Sequence, residues 1–231
     1  SKLKIKKIYI SPRNKLISKK ISKRFKKVTI ANNNQQVIDR SNWVFLAVTP
    51  QVGSKILNKL KFNKNKKIIS FISTINLEKI KKYTKNRNIS RVIPLPFIGM
   101  RKGPIIICPK DNQLKNFFRH LGKVIELKNE KTSKAFWSTS SFMASFYFLL
   151  DQTSNWLTSK GIKKKDAEDY TRELFLALSE DAINKNKSSL KQLVLESQTP
   201  GGTNAYVLNQ LKKKKFYKVQ QTVLNSIFKK F

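Results

Sequence analysis

Glycine, cysteine, histidine and acidic residues are all scarce in this chain, and each scarcity excludes something. There are seven glycines in 231 residues, and the first is Gly53. The glycine-rich phosphate loop that opens many nucleotide-binding α/β domains is therefore missing from the start. A single cysteine, Cys108, excludes an internal disulfide framework and fits a reducing, cytoplasmic setting. One histidine, His120, with that one thiol leaves too few soft ligands for a zinc site. It also rules out most triad chemistry. His120 sits in FFRHLG and reads as a helix cap, and Cys108 in IIIC as a buried strand residue. No apolar run approaches the roughly 20 residues of a membrane span. The apolar part of the basic start, SKLKIKKIYIS, is too short for a secretory signal. A soluble intracellular protein, with no membrane partner, is the expectation.

Acids are few, 13 against 49 basic residues, which leaves a net charge of +36. Such a charge invites a nucleic-acid reading. Yet only eight of the basic residues are Arg, the side chain that phosphate-clamping surfaces favour. Asn is abundant, at 20 residues, and Ile is common. Lys, Asn and Ile share A/T-rich codons, so nucleotide bias accounts for the composition. Polyanion affinity is then incidental and nucleic-acid binding unspecific.

The first half alternates apolar runs with amphipathic stretches. Strands are expected at 7–10, 27–31, 43–48, 66–73, 90–95, 103–109 and 123–127. Helices are expected at 15–25, 33–39, 51–60, from Asn76 onward, and at 112–122. WVFLAV (43–48) is uniformly apolar, as a strand covered on both faces should be. This alternation predicts an α/β fold, a doubly wound parallel sheet. Beyond about residue 130 the strand signal ends. Residues 131–160 carry so many large apolar groups that the helix there must be buried among others or against a second subunit. Gly161 reads as its stop, and Asp166, Glu168 and Asp169 as charges near the N-terminus of the next helix. A helix over 189–197 and a last helix from Thr203 into the basic tail follow.

Two strand exits attract attention, because ligands of doubly wound sheets bind beyond the carboxyl ends of strands. Ala47, Val48, Thr49 and Pro50 form one exit, either a cofactor-facing loop or a tight turn. Ser11, Arg13 and Asn14 lie at the other. An acidic residue there would suit the 2′-hydroxyl of NAD, whereas these residues suit a 2′-phosphate; a basic turn in a basic protein is the plainer alternative.

WVFLAVTPQ, RVIPLPFIG and TPGGTN, in this order, resemble the DVVFLAVKPQ, RAMPNTPA and SPGGTT segments of the pyrroline-5-carboxylate reductases, and the likeness covers almost the whole chain. It implies a Rossmann-like NAD(P)-binding domain over 1–128 and an all-α dimerisation and substrate domain over 129–231. It implies a homodimer or higher homo-oligomer through the C-terminal helices, and hydride transfer from NADPH, or NADH, to a cyclic imino acid to give proline. In that family the glycine pair opens the final helix and backbone N–H groups there take the substrate carboxylate. By position Gly201, Gly202 and Thr203 become that cradle, with Asn204 beside them. This is sound physically, since a helix N-terminus offers unpaired donors and glycine lets an anion approach; Pro-Gly-Gly as a mere chain reversal is the bland alternative.

Several positions depart from the resemblance. Thr49 replaces a Lys, Leu95 an Asn, and Asn204 a Thr, while STSSFMAS (138–145) is bulkier than the small SGSGPA stretch. The resemblance also implies an opening strand, loop and helix of the first βαβ unit, about 25 residues; either they precede Ser1, the favoured expectation, or the chain is a degenerate member. No side chain is singled out as catalytic, because the cofactor carries hydride chemistry. The alternative is an inactive or altered-substrate paralogue acting as a binding module.

Overall fold

The structure is a computed structural model describing residues 4–72 and 74–230. Ser73, which closes the strand expected over 66–73, lies outside the described residues, as do the first three residues of the basic start and Phe231. The chain divides into two compact units, Ser1–Trp137 and Ser138–Phe231.

The first unit follows the expected alternation: β1 (Ile8–Ile10), α1 (Lys15–Arg24), β2 (Val28–Ile30), α2 (Asn34–Asp39), β3 (Trp43–Leu46), α3 (Pro50–Ile56), β4 (Lys67–Ser70), α4 (Leu77–Thr84), β5 (Ile89–Pro94), β6 (Pro104–Cys108), α5 (Asn112–Phe118), β7 (Lys123–Glu126) and the start of α6 (Glu130–Ser140). The helices begin where short polar side chains can cap them. Asn14, Asn33, Asn76 and Asp111 accept from the N–H groups of Ile17, Gln36, Lys79 and Leu114 at 3.0, 2.9, 2.8 and 3.0 Å. Each cap stabilises its helix by about 0.5–2 kcal/mol. In a chain poor in acids, Asn takes most of this work.

Five strands form one sheet in the order β3-β4-β5-β6-β7, while β1 and β2 pair in parallel as a separate two-stranded sheet. β3, β4 and β5 run parallel, as do β6 and β7. β5 and β6 are antiparallel, which departs from the all-parallel expectation. The cause is the short link over 95–103: a parallel crossover needs a dozen or more residues. Helices cover both faces. Ile38 of α2, Leu57 and Ile80 of α4 pack with Val44, Leu46 and Ile68 on one side. Leu114 and Phe118 of α5 pack with Ile69, Val92, Ile105 and Ile107 on the other. Each such fully buried side chain contributes about 1.5–3 kcal/mol.

The expectation that WVFLAV is covered on both faces is met only in part. Phe45, in the uniformly apolar β3, stays 39% exposed, and Leu16 on α1 is 83% exposed. Phe45 still packs against Phe71 and against Phe117 of α5, which cover it only in part.

Two buried cations stitch the sheet to its surroundings. Lys67 donates to Asp111 at 2.6 Å and to Gln113 at 2.8 Å, and lies over the Trp43 ring. Arg91, on β5, is 2% exposed. Its guanidinium pairs with the Glu130 carboxylate, donates to the Ile72 carbonyl at 3.2 Å, and stacks 3.9 Å from the Trp137 ring. Glu130 also accepts from the Leu77 N–H, capping α4. Burial pulls the Arg91 guanidinium below its ordinary pKa, and the Glu130 carboxylate pulls the other way.

The second unit is helical: the end of α6, α7 (Met143–Ser159), α8 (Lys164–Asn184), α9 (Leu190–Glu196), α10 (Thr203–Lys213) and α11 (Phe216–Lys230). α7 and α8 meet through small buried residues, Ser154, Ala167 and Thr171. Gly161, at φ +90, ends the α7 region as expected. The single helix expected over 131–160 breaks at 141–142, and the single last helix breaks at Lys215, whose φ is +58. That break follows the run Lys212 to Lys215, where clustered like charges disfavour a continuous helix.

Glu130→Ala is expected to cost about 3–5 kcal/mol in urea unfolding, because it strands a buried guanidinium. The paired replacement Arg91→Met with Glu130→Leu should cost less than the single change.

The Asp111 carboxyl gives a second prediction. Partial burial pulls its pKa up, but the Lys67 hydrogen bond and charge and the N–H groups of Leu114 and Gln113 outweigh this and hold it below the ordinary value. A depressed carboxyl contributes stability that is present above the unfolded pKa, about 3.9, and is lost as pH falls through the folded value. Asp111→Asn should therefore lower stability by about 1–3 kcal/mol at pH 6. The difference from the parent should shrink steadily in urea titrations below about pH 4.

Candidate functional site

The residues at the β1 exit form a small polar turn. Ser11 Oγ donates to Asn34 Oδ1 at 2.7 Å and accepts from the Arg13 N–H at 3.3 Å. Asn14 caps α1, so the N–H groups of its first turn and the exposed Arg13 side chain lie at one helix N-terminus. A helix N-terminus carries partial positive charge and unpaired donors, and Arg13 adds a full charge. Asn34, which sequence reasoning did not single out, belongs to this cluster. The signal for it was the run of three Asn at 32–34 following a short strand, where Asx side chains favour turns and caps.

Ala47–Pro50 follow β3 directly. Thr49 caps α3 by backbone conformation alone, with no hydrogen bond from its side chain, and Pro50 takes the first helical position. Ala47 and Thr49 are exposed. Among the described residues no hydrogen bond joins this loop to the Ser11–Asn14 turn. Leu95 follows β5, at the start of a 3-10 turn.

Gly201, Gly202, Thr203 and Asn204 lie in the second unit. Gly201 has φ +72, a conformation that favours glycine. Gly202 is the N-cap of α10 and offers no side chain; its own N–H donates to the Thr199 carbonyl at 2.8 Å. A Cβ at Gly202 would sit 3.0 Å from that carbonyl oxygen. The Asn204 amide is turned back to the Ser197 carbonyl at 3.0 Å, which braces the loop. The result is an exposed helix start whose first-turn N–H groups face no capping side chain. Such a start can hold a carboxylate.

Other chemistry is weak. Burial raises the Cys108 thiol to about 11, so it is no nucleophile at neutral pH. His120 lies just past the α5 C-cap, Arg119. Glu168 and Asp169 pair with Arg172 at 2.7 and 3.1 Å. A shallow cleft between α7 and α8 is lined by Asp151, Glu168, Thr171 and Arg172 and includes none of the strand-exit residues or of Gly201, Gly202, Thr203 and Asn204; the backbone donors of α10 have the better chemistry. Among the described residues no cluster of three potential metal ligands occurs, and no helix is long and apolar enough to cross a membrane.

Known proteins match this fold closely. Residues 130–231 match the family model for pyrroline-5-carboxylate reductase dimerisation, and residues 3–76 that for NADP oxidoreductase, coenzyme F420-dependent. No curated protein matches the sequence. A 1-pyrroline-5-carboxylate reductase from Streptococcus pyogenes shares the fold with a TM-score of 0.82 at 19% identity, over 97% of this chain and 88% of that one. The pyrroline carboxylate reductase of Plasmodium falciparum, solved with NADP bound, gives 0.76 at 19% identity over 88% and 81%. That of Coxiella burnetii gives 0.72 at 22% identity over 88% and 79%. The chain shares with these enzymes the fold of a Rossmann-like sheet followed by an all-helical C-terminal domain, and its residues 130–231 are similar to their dimerisation domain.

Proposed function

We propose that the chain is an NADPH-dependent reductase of a cyclic imino acid, with pyrroline-5-carboxylate as substrate and proline as product. The observation that carries this reading is the bare N-terminus of α10, opened by Gly201 and Gly202 inside the matched dimerisation domain. A substrate with a ring C=N and an adjacent carboxylate would place that carboxylate on the N–H groups of Thr203 and its neighbours. Asn204 acts by holding the loop rather than by touching substrate. No strong acid or base is needed, because a protonated imine already accepts a hydride readily.

For the reductant, the fit is to the phosphorylated ribose of NADPH. Ser11, Arg13 and Asn14 form a cationic helix start without an acidic residue, so a 2′-phosphate is favoured over a free 2′-hydroxyl. Ala47, Val48, Thr49 and Pro50 would line the dinucleotide further along. When bound, the reduced nicotinamide supplies the hydride. The described residues offer no glycine-rich loop for the pyrophosphate, the first glycine being Gly53. Leu95 and Thr49, standing where the family motifs carry Asn and Lys, leave room for a related imino acid in place of pyrroline-5-carboxylate.

The assembly is a homodimer through the C-terminal helices. Phe148 and Trp156 are 63% and 60% exposed in the single chain, and Tyr147 and Leu178 are similarly bare. Apolar exposure on this scale marks an interaction surface. A reducing, cytoplasmic setting accords with the lone thiol.

Mixing the chain with pyrroline-5-carboxylate and NADPH should oxidise the nicotinamide, followed at its absorbance, and NADH should serve less well. Arg13→Glu should weaken NADPH binding by roughly tenfold or more and narrow its advantage over NADH; equal affinity for NADPH before and after the change would remove Arg13 from the cofactor site.

Thr203→Pro tests the carboxylate cradle. Proline is tolerated at the first helical position but lacks the N–H, and Gly202, at φ -76 and ψ 163, already has the extended backbone that precedes proline. KM for the imino acid should rise roughly tenfold or more while the melting temperature and KM for NADPH stay near the parent values. An unchanged KM would place the carboxylate elsewhere.

A further inference from the structure

The exits of β3, β4 and β5 share one rim, because these three strands run parallel. Ligands of such sheets bind beyond that rim. The middle exit, between β4 and α4, lies between the Ala47–Pro50 loop and Leu95.

The described residues of this middle exit are tightly held. The Phe71 N–H bonds to the Leu46 carbonyl at 3.1 Å, and the Ile72 N–H to Ser70 Oγ at 3.2 Å. Ile72 and Ile75 are buried in the core with Val44, Leu46 and Ile68, while Thr74 is exposed. Both isoleucines reach α3 at Gly53, where a Cβ would stand 3.0 Å from Ile72 Cδ1 and 3.4 Å from Ile75 Cδ1. Glycine there lets the β4 exit lie against the helix that starts at the β3 exit.

One ion pair secures both ends. The Arg91 guanidinium donates to the Ile72 carbonyl at 3.2 Å and pairs with Glu130. The Glu130 carboxylate accepts from the Leu77 N–H at 3.0 and 3.1 Å, and Trp137 covers the guanidinium at 3.9 Å. An apolar pair of similar volume would stabilise the fold as well or better. It would have no donor for Ile72 and no acceptor for Leu77, so direction is what this ion pair adds.

We propose that Arg91 and Glu130 are positioning residues for the nicotinamide end of NADPH: they fix the β4 exit as the wall that this end of the cofactor meets. The proposal rests on the NADPH reading, in which the 2′-phosphate lies at the Ser11–Asn14 turn and the dinucleotide continues past Ala47–Pro50. The β4 exit comes next along the rim. Neither side chain touches the cofactor; both act through the backbone of Ile72 and Leu77.

The test compares the parent with Arg91→Met/Glu130→Leu, which replaces the ion pair by apolar side chains. Amide exchange by NMR should quicken by roughly tenfold or more at Ile72, whose own N–H partner Ser70 is untouched, and at Leu77. Val44, within the paired strands, should keep its parent rate and so report an intact sheet. NADPH should bind roughly tenfold or more weakly. Adenosine 2′,5′-bisphosphate, which carries the 2′-phosphate and no nicotinamide, should bind as it does to the parent. Where the double variant unfolds, Glu130→Gln carries the same test, because its amide keeps an acceptor for Leu77 and gives up the charge that holds Arg91.

Unchanged exchange at Ile72 would overturn the proposal, as would parent-like NADPH affinity in the variant. Equal weakening of NADPH and the bisphosphate would also overturn it, since a general loosening of the sheet does that. A parent that binds neither ligand would overturn the cofactor reading and this proposal together, and that failure is distinct because it is seen before any substitution.

Discussion

A buried cation in a chain with a large surplus of cations must be given one of very few carboxylates, and the first unit is organised around where those carboxylates go. Arg91 sits in the centre of the five-stranded sheet, almost wholly out of water. Desolvating a guanidinium costs several kcal/mol unless a partner and hydrogen bonds offset it. Glu130 does this while capping α4 through the Leu77 N–H, so one side chain ties the middle strand, a helix start and the first residue of α6 together. Asp111 does the same on a smaller scale, pairing with Lys67 and capping α5. With only 13 acids in the chain, such partners are few.

Much of the fold was legible because it depends on local chemistry. The Asn caps, the apolar strand cores and Gly161 with its positive φ each declare an element boundary from a few residues, and the elements start within a residue or two of where they were read, although α3, β4 and α5 end three or four residues early. What was not legible depends on more distant matters. The antiparallel turn of β6 follows from the length of one connection rather than from the residues of β6, which look like any buried strand. The break at Lys215 follows from mutual repulsion within a run of four lysines, which a periodicity reading counts as simply polar. Phe45 read as buried on both faces because an apolar run records what a strand is suited to, and not how fully its neighbours cover it.

The candidate site has the same division. The glycine pair was readable as a helix start because φ +72 at Gly201 favours glycine and because a bare N-cap leaves donors free. Asn34 was not readable, since its part rests on a hydrogen bond to Ser11 across 23 residues. On the proposed reading both places would recognise anions chiefly through backbone donors at helix starts, with Arg13 and Lys15 as charged side chains beside the first of them. That is a sensible arrangement in so cationic a protein: surface lysines attract every anion alike, whereas an array of N–H groups has fixed direction and spacing. Selectivity at such sites would fall to geometry, with net charge contributing mainly to encounter.

The same reasoning bears on the open strand edges. A parallel sheet is normally continuous because each internal strand satisfies its neighbours on both sides, and an apolar internal edge left bare invites pairing with whatever strand is near. Here β3 is apolar throughout and carries no charge or proline to blunt its edge. Natural edges usually carry such protection; an unprotected one has the composition of an interior strand. Trp43 and Phe45 therefore suit a strand with a neighbour on each side, and a strand in that place would join the two sheets into one and bring the β1 and β3 exits onto a single rim.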